Sequence, residues 1–396
     1  MACAGGGLLF EVGVPRRERV QPTDGEITMN SRLRPQPRIN KYLLSSSAKI
    51  YGIYESDDLL ISHALPDLMN TQPGRRAPEE GPTYRTYFVA SFENAEPAET
   101  GENARSAVPN FHWFGDFLAV SLAIFFGKRF EHHGLIETQG FFCMPSITAR
   151  EIVAYELPQF NSTPRADYGN DLNLTRLCEV APLLMNQANE TDLRAFFTAG
   201  RFYLRALHML EEQPEAAYLD LVTVGEVLSN QYAYTEDELF DQQMRALLAK
   251  INTLLDPADA NQIRKRLFQV KRRYVLTLKK LVSEDFFKVS ESKAEYGRLR
   301  KEDFEKNISA SYDLRSRYVH MGTSFGSSVT LLRSEFAERA VVISKPHDDD
   351  KDFEKILWRA PTLLGLERIM RRALLQFLNE RICPLTLGTS TPLMPG

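Results

Sequence analysis

The sequence predicts an α+β protein, with a mixed α/β or mostly β N-terminal domain followed by an all-α C-terminal half. Segments rich in β-branched and aromatic residues, which favour strands, lie between residues 39 and 185. From about residue 190 onward, apolar residues recur with the spacing of amphipathic helices, and several such helices in succession indicate a bundle. With 396 residues, 43% of them hydrophobic and 25% charged, the chain is long enough for two or three globular domains.

The N-terminal half divides into a leader and a candidate domain. Residues 1–38 mix Gly, Pro and Arg, and we expect a flexible leader there, with a recognition arm as the alternative. Residues 39–185 form a domain of unknown fold, with three segments of strand-like composition at Lys49–Tyr54, Thr83–Val89 and Ile152–Leu157. The apolar run Phe117–Phe126 has about half of the ~20 residues that span a bilayer, so we predict a buried element.

Helix start signals divide the C-terminal half. Asn189 precedes a first predicted helix as a start signal, and Pro214 suits the first turn of the next helix. Further helices are predicted at residues 236–255, 258–283, 300–320 and 361–380. We therefore expect a helical bundle over residues 190–385 and a tail at residues 386–396.

Composition disfavours several classes of protein. The net charge of −4 argues against a protein that coats nucleic acid through bulk charge, so any such contact needs a local basic patch. The four cysteines are scattered without a Cys-x-x-Cys pair, which fits a reducing compartment and disfavours a zinc site. Because no clear signal peptide is present, we expect a cytoplasmic protein without a membrane partner.

The most informative stretch is Ser311–His320, at the end of a predicted helix. The apolar stripe of this helix places Arg315 on the face that we expect to be buried. That stripe consists of Phe304, Ile308, Tyr312 and Val319. A buried charge is unfavourable unless it is paired or used, and Arg315 with His320 suggests acid–base chemistry on a phosphodiester. The structural alternative is an arginine paired inside a bundle and a histidine near a helix C-terminus.

The same stretch resembles the signature of the HEPN superfamily, in particular its Apea-like branch. The matching residues are Tyr312, Asp313, Arg315, Ser316, Arg317, Tyr318, Val319 and His320. Residues 202–207 and 218–223 resemble the opening helices of such domains, and residues 366–375 resemble the closing helix. The resemblance covers about residues 190–385, half of the chain, and implies a HEPN helical bundle that forms a homodimer.

The resemblance also implies an activity. It is that of a metal-independent endoribonuclease, in which Arg315 and His320 of two protomers line one shared cleft. His320 would be the general base or acid while a ribose 2′-OH attacks the neighbouring phosphorus, and Arg315 would neutralise charge on the phosphate oxygens. Family context implies an antiphage defence or toxin-type effector. Its N-terminal domain would sense a trigger, restrain the nuclease or select the RNA, and a phage or regulatory protein is a candidate partner of this domain.

Two other residues are candidate supports for this site. Glu226 falls on a helical flank from which it would pair with Arg315 and orient it, and the alternative is a surface carboxylate. Ser316 stands where many active HEPN ribonucleases have Asn, Asp or His. Ser316 and Met321, which is inserted after His320, favour the rival hypothesis of a catalytically silent HEPN module for dimerisation or RNA binding.

A basic run between residues 264 and 280 is the candidate RNA-binding surface. Its cations are Arg264, Lys265, Arg266, Lys271, Arg272, Arg273, Lys279 and Lys280, with no acidic residue between them. We expect RNA contacts from Arg266, Lys271, Arg272 and Arg273. One alternative is a solvated helix face balanced by nearby acidic loops. Another is a nucleic-acid-binding regulator whose principal function is this run.

The remaining histidines are weaker candidates. His132 and His133 beside Glu131 form a possible metal corner, but no third ligand has suitable spacing, so we expect no metal. His208 is predicted to be a packed or surface side chain on the first bundle helix. No Walker A motif and no His-Glu-x-x-His motif is present, and we expect no cofactor.

Overall fold

The computed structural model describes residues 39–64, 86–93, 112–138, 141–142, 157–168, 171–184, 189–256, 259, 269–330, 338–339 and 351–385. Over these residues the protein is α+β, as predicted, with an antiparallel sheet in the N-terminal part and helices in the C-terminal part. The leader and the tail expected from the sequence lie outside the described residues. Within the described residues, no helix combines the length and the apolar character needed to cross a membrane.

Six strands form one antiparallel sheet. Their bounds are β1 (Ile39–Ser46), β2 (Tyr54–Glu55), β3 (Leu59–His63), β4 (Thr86–Glu93), β5 (Phe130–Thr138) and β6 (Phe141–Phe142). The order across the sheet is β2-β3-β4-β1-β5-β6, so β1 is central. It pairs with β4 in continuous register, from Ile39 opposite Glu93 to Ser46 opposite Thr86. Its pairing with β5 on the other side shifts register at two points.

One helix packs between the sheet and the C-terminal helices. This helix, α1 (His112–Phe126), contacts β1 and β5 on one side and the helix that begins at Glu190 on the other. All residues of Phe117–Phe126 are buried, which confirms the predicted buried element. Because this part of the helix is covered on both sides, it carries a continuous apolar run, whereas Trp113 and Asp116 in the first turns are partly exposed. Ser121 is accommodated because its hydroxyl donates to the Phe117 carbonyl at 2.8 Å.

The other α-helices of the described residues are α2 (Ala181–Leu184), α3 (Glu190–Met209), α4 (Pro214–Ser229), α5 (Glu236–Leu239), α6 (Gln242–Leu254), α7 (Val270–Leu281), α8 (Phe304–Met321), α9 (Ser327–Thr330), α10 (Lys351–Arg359) and α11 (Leu363–Arg381). Helices α3 and α4 pack against each other, and α11 packs against α3, α4 and α7. Helix α8 packs against α4, α7 and α10. The C-terminal half is therefore helical over its described residues, with α11 at its centre.

The two predicted helix starts are confirmed. Asn189 caps α3, and its side-chain oxygen accepts from the Thr191 amide at 2.9 Å. Such a cap contributes about 1 kcal/mol because it satisfies an amide that has no partner inside the helix. Pro214 opens α4, where its missing N–H has no consequence.

Two predicted elements are wrong in part. Of the predicted strand Lys49–Tyr54, only Tyr54 belongs to a strand. The interruption is at Gly52, which has a φ of 81° and approaches Asn173 so closely that an added Cβ would lie 2.0 Å from its side-chain oxygen. The helix predicted at residues 236–255 is divided into α5 and α6, because Asp241 accepts from the Met244 amide at 2.8 Å and so caps a new helix.

Other predicted elements are only partly described. The strand predicted at Thr83–Val89 is described from Thr86, where β4 begins. Of the strand predicted at Ile152–Leu157, only Leu157 is described, and it is buried outside any strand. The helix predicted at residues 258–283 is described as α7 from Val270.

A network of buried ion pairs connects the N-terminal part with α11. Arg165 Nη2 lies 2.7 Å from Glu367 Oε2, and both side chains are fully buried. Arg371 Nη1 lies 3.0 Å from Asp167 Oδ1, again with both side chains buried. Burial alone would raise the pKa of Asp167, but the guanidinium of Arg371 and other nearby arginines hold the pKa below its ordinary value. The Asp167 carboxylate is therefore charged and depends on its cations.

The Arg371→Met variant tests this dependence. It leaves the Asp167 carboxylate buried without its nearest cation, so we expect the free energy of unfolding to fall by about 3–5 kcal/mol. Urea denaturation followed by circular dichroism measures the change. The matched control is Arg381→Met on the exposed last turn of the same helix, expected to lose less than about 1 kcal/mol. Equal losses in the two variants would contradict the expectation.

Candidate active site

Helix α8 ends one residue after His320, and the following glycine explains why. Gly322 has a φ of 66°, in the left-handed region that other residues rarely adopt. Its amide donates to the Tyr318 carbonyl at 3.0 Å and closes the last turn. His320 therefore lies at the C-terminal end of the helix, next to the point at which the chain changes direction.

The buried face of α8 differs from the predicted stripe. The buried residues of this helix are Phe304, Asn307, Ile308, Ala310, Ser311 and Leu314. Ser311 is accommodated in the core because its hydroxyl hydrogen-bonds with the Tyr274 hydroxyl at 2.9 Å, whereas Val319 is 52% exposed. The prediction that Arg315 lies on the buried face is therefore wrong. Its side chain is 28% exposed, at the edge of the core.

Arg315 is held by a carboxylate and an aromatic ring. Its Nη2 lies 3.6 Å from Glu226 Oε2, so the ion pair considered from the sequence is present. The Tyr312 ring lies 5.9 Å from the guanidinium carbon, and the Tyr312 hydroxyl donates to the same Glu226 carboxylate. Burial and then the Glu226 charge raise the pKa of Tyr312, which keeps the hydroxyl protonated as a donor. These contacts restrict the orientation of the guanidinium.

His320 is exposed, and its neighbours on the chain are exposed apolar residues. Val319 is 52% exposed and Met321 is 69% exposed. Five residues of α-helix separate Arg315 from His320 by a rise of about 7.5 Å and a rotation of about 140°. The two side chains therefore leave the helix in different directions, and one copy of the chain does not align them on one phosphate.

Glu215 also positions this end of α8, and sequence analysis missed it. Its Oε1 accepts from the Ser324 hydroxyl and from the Phe325 amide, both at 2.6 Å. Phe325 in turn packs against Tyr318, with 5.3 Å between the ring centroids. The segment after α8 is thereby attached to the first turn of α4. No local signal identifies Glu215, because its partners are more than a hundred residues away.

Ser316, the other predicted supporting residue, is half-buried near the same end of α8.

The described part of the basic run lies on α7 and faces carboxylates of α8. Lys271 Nζ is 2.6 Å from Asp313 Oδ1. Glu305 accepts from both Arg272, at 3.0 Å, and Lys279, at 2.6 Å. Hydrogen bonding from Lys279 is the largest cause of the lowered pKa of Glu305, with Arg272 also contributing. These three cations of α7 are therefore each paired within the protein, although two carboxylates leave one positive charge unbalanced.

The remaining predicted RNA contacts are placed differently. Arg273 donates to the Tyr232 carbonyl at 3.0 Å and lies over the Tyr234 ring. Arg266 lies outside the described residues. The arrangement agrees with the alternative of a balanced helix face, except that the balancing carboxylates come from a helix and not from loops.

His132 and His133 have separate partners. His132 Nε2 lies 2.8 Å from Asp116 Oδ1, and His133 Nε2 lies 2.8 Å from Ser45 Oγ. Among the residues that the structure describes, no group of three or more His, Cys, Asp or Glu side chains is arranged to hold a metal ion. The two histidines therefore form no metal centre with the described side chains.

Comparison of the chain with protein-family models, with curated proteins and with solved structures gave no match. A function is therefore inferred from the residues and their geometry. The end of α8 combines a restrained guanidinium with an exposed imidazole on one helix. This pair is the candidate active site.

Removing the carboxylates that balance α7 tests whether its cations can contact RNA. We expect Glu305→Gln/Asp313→Asn to bind a single-stranded RNA oligonucleotide more tightly than the wild type. The log–log dependence of affinity on salt should steepen by about 0.7 for each additional phosphate contact, measured by fluorescence anisotropy. The matched control, Glu190→Gln/Asp192→Asn in the first turn of α3, removes the same charge far along the chain. Equal slopes in both variants would exclude RNA contact by these cations.

Proposed function

We propose that the chain is a HEPN-type endoribonuclease that cleaves RNA without a metal ion. In this proposal α3 to α11 form the HEPN bundle, and Arg315 and His320 are the catalytic residues. The observation that carries the proposal is the end of α8. There, an arginine held by Glu226 precedes an exposed histidine by five residues, in a stretch that resembles the family signature.

The chemistry is an internal transesterification. The ribose 2′-oxygen forms a bond to phosphorus while the bond from phosphorus to the 5′-oxygen breaks. One imidazole removes the proton of the 2′-OH, and another donates a proton to the leaving 5′-oxygen. The Arg315 guanidinium neutralises charge on the non-bridging oxygens. The products are a 2′,3′-cyclic phosphate and a 5′-hydroxyl, and DNA is not a substrate because it lacks the 2′-OH.

The proposed active form is a homodimer. One chain supplies one motif histidine, whereas the reaction uses both an acid and a base. A two-fold axis near the end of α8 would bring two copies of Arg315 and His320 together. The exposed Val319 and Met321 support this arrangement, because apolar side chains beside a polar site suit the centre of an interface.

The N-terminal part is proposed to control the nuclease in an antiphage defence or toxin-type role. An unrestrained ribonuclease would damage the RNA of its host, so restraint by the trigger-sensing part is expected. Helix α1 packs directly against α3, the first helix of the proposed HEPN bundle. A phage or regulatory protein that binds the N-terminal part would therefore act on an element in contact with the bundle.

A catalytically silent module is the second candidate. Glu226 already neutralises Arg315 in the single chain, which favours a structural role for the pair. Ser316 and Met321 also depart from the pattern of active relatives. In this case the same end of α8 serves dimerisation or RNA binding, and no RNA is cleaved.

The His320→Ala variant separates the two candidates. We expect the wild type, expressed in bacteria with and without phage challenge, to generate RNA ends with 5′-hydroxyl and cyclic-phosphate termini. The variant should reduce their yield by at least about 100-fold, the lower range for loss of a general acid or base. Sequencing of RNA termini measures the yield. The control Lys306→Ala, on the same helix with its side chain 65% exposed, should match the wild type. Equal yields from folded, dimeric wild type and His320→Ala would support the silent module.

The Glu226→Gln variant tests whether the carboxylate orients Arg315. It keeps the size of the side chain but removes the charge that holds the guanidinium. We expect kcat on a fluorescent RNA substrate to fall about tenfold, or about 1.4 kcal/mol in barrier height, with little change in KM. Unchanged or higher kcat would mean that Glu226 does not assist catalysis.

A further inference from the structure

A polar cleft separate from the end of α8 lies between β5, α1 and α3. Its volume is about 530 Å³, which is within the range of small-molecule sites. Its charged and histidine side chains are Asp116, Arg129, Glu131, His132, His133, Arg201, Arg205 and His208. These residues come from the N-terminal part and from the first long helix of the C-terminal part, so the cleft lies where the two parts meet.

Two arginines of α3 form one wall of the cleft. Arg201 and Arg205 are four residues apart, so they lie on the same helix face. The Arg201 guanidinium lies 4.7 Å from the Phe197 ring centroid, and the Arg205 guanidinium lies 5.0 Å from that of Phe202. Their side chains are nevertheless 54% and 58% exposed. Both guanidiniums are therefore preorganised and still open to a ligand.

Carboxylates hold the same guanidiniums and leave donors available. Arg201 Nη2 lies 3.1 Å from Asp116 Oδ2. Arg205 donates from Nε and Nη2 to Asp220, whose hydrogen bond raises the pKa of Arg205. Within the described residues, neither arginine uses Nη1 in a polar contact. A guanidinium is not deprotonated in proteins, so these Nη1 groups can donate hydrogen bonds to a ligand that carries several acceptors.

The histidines add oriented rings to the cleft. His208 Nε2 donates to the Phe130 carbonyl at 2.9 Å, which fixes its ring between α3 and β5. His132 is bound to Asp116, which also accepts from Arg201. The carboxylate of Asp116 is therefore already engaged by two partners, and a bound cation would have to displace them. The other carboxylate of the lining, Glu131, lies 2.8 Å from Arg129 Nη2. With both carboxylates paired, the cleft offers donors more readily than acceptors.

We propose that this cleft binds a phosphate monoester, with its dianionic phosphate between Arg201 and Arg205. A guanidinium presents N–H donors that match phosphate oxygens, and the Nη1 donors of Arg201 and Arg205 would bind the phosphate while their other donors stay with Asp116 and Asp220. The cleft is larger than a phosphate ion and is partly lined by the apolar side chains of Val120 and Leu204, which leaves room for an organic group. Binding here is independent of Arg315 and His320.

Isothermal titration calorimetry on the full chain tests the site with two probes, inorganic phosphate and adenosine 5′-monophosphate. We expect both to bind the wild type, with the nucleotide tighter because its organic group also contacts the cleft. The Arg201→Gln/Arg205→Gln variant should weaken each by at least tenfold, or about 1.4 kcal/mol. The matched control is Arg194→Gln, an exposed arginine of the same helix that pairs with Glu190. It should bind both probes like the wild type.

Two further measurements separate loss of the binding site from loss of folding. Thermal melting of each variant checks that it is folded, because Arg205→Gln takes the cation away from Asp220, whose side chain is only 9% exposed. The Arg205→Lys variant keeps the charge but loses the planar fork, and its affinity should be intermediate. Wild-type dissociation constants weaker than about 1 mM for both probes would overturn the proposal. Equal losses of affinity in the double variant and in Arg194→Gln would also overturn it. A wild type that binds an RNA oligonucleotide but neither inorganic phosphate nor adenosine 5′-monophosphate would do the same.

Discussion

The buried ion pairs along α11 are the constraint on which the rest of the structure depends. Arg165 with Glu367 and Arg371 with Asp167 each join the segment 157–168 to this helix inside the core. A buried charge that loses its partner is strongly destabilising, whereas the pair itself adds little over an apolar contact. We therefore infer that these pairs act mainly on geometry, because both parts of the chain must be in place for the charges to meet.

The turn between α1 and β5 packs directly against Arg371, one of the arginines in these ion pairs. Gly127 has a φ of 64°, and an added Cβ would lie 2.5 Å from Arg371 Nε. The next residue, Lys128, donates its buried ammonium to the carbonyls of Pro158 and Thr163, and burial lowers its pKa. This turn leads directly into β5, which supplies His132 and His133 to the polar cleft. The position of the cleft thus follows from the packing of the turn against α11.

Helix α4 packs against both α11 and α8, and so connects α11 with the end of α8. Gly225 allows α4 to approach α7 closely, since an added Cβ would lie 2.4 Å from the Tyr274 ring. Tyr274 hydrogen-bonds to Ser311 and thereby sets the rotation of α8. Glu226, the residue after Gly225, then lies within 3.6 Å of Arg315. The restrained arginine and the exposed end of α8 are consequences of how three helices meet.

The sequence by itself determined the α+β class, the buried run in α1 and the starts of α3 and α4, and it offered the pairing of Glu226 with Arg315 as one of two alternatives. These features follow from signals within a few turns of chain, or from an unusual charge on an apolar flank. Tertiary structure decided the rotation of α8, the neutralisation of Lys271 by Asp313 and the meeting of Arg201 with the histidines of β5. The partners in those contacts are tens of residues apart, and their side chains meet only after the helices and the sheet have packed. Local periodicity contains no information about contacts between residues so far apart in the chain. The sequence could therefore identify the candidate residues of α8, but it could not predict which side chains surround them.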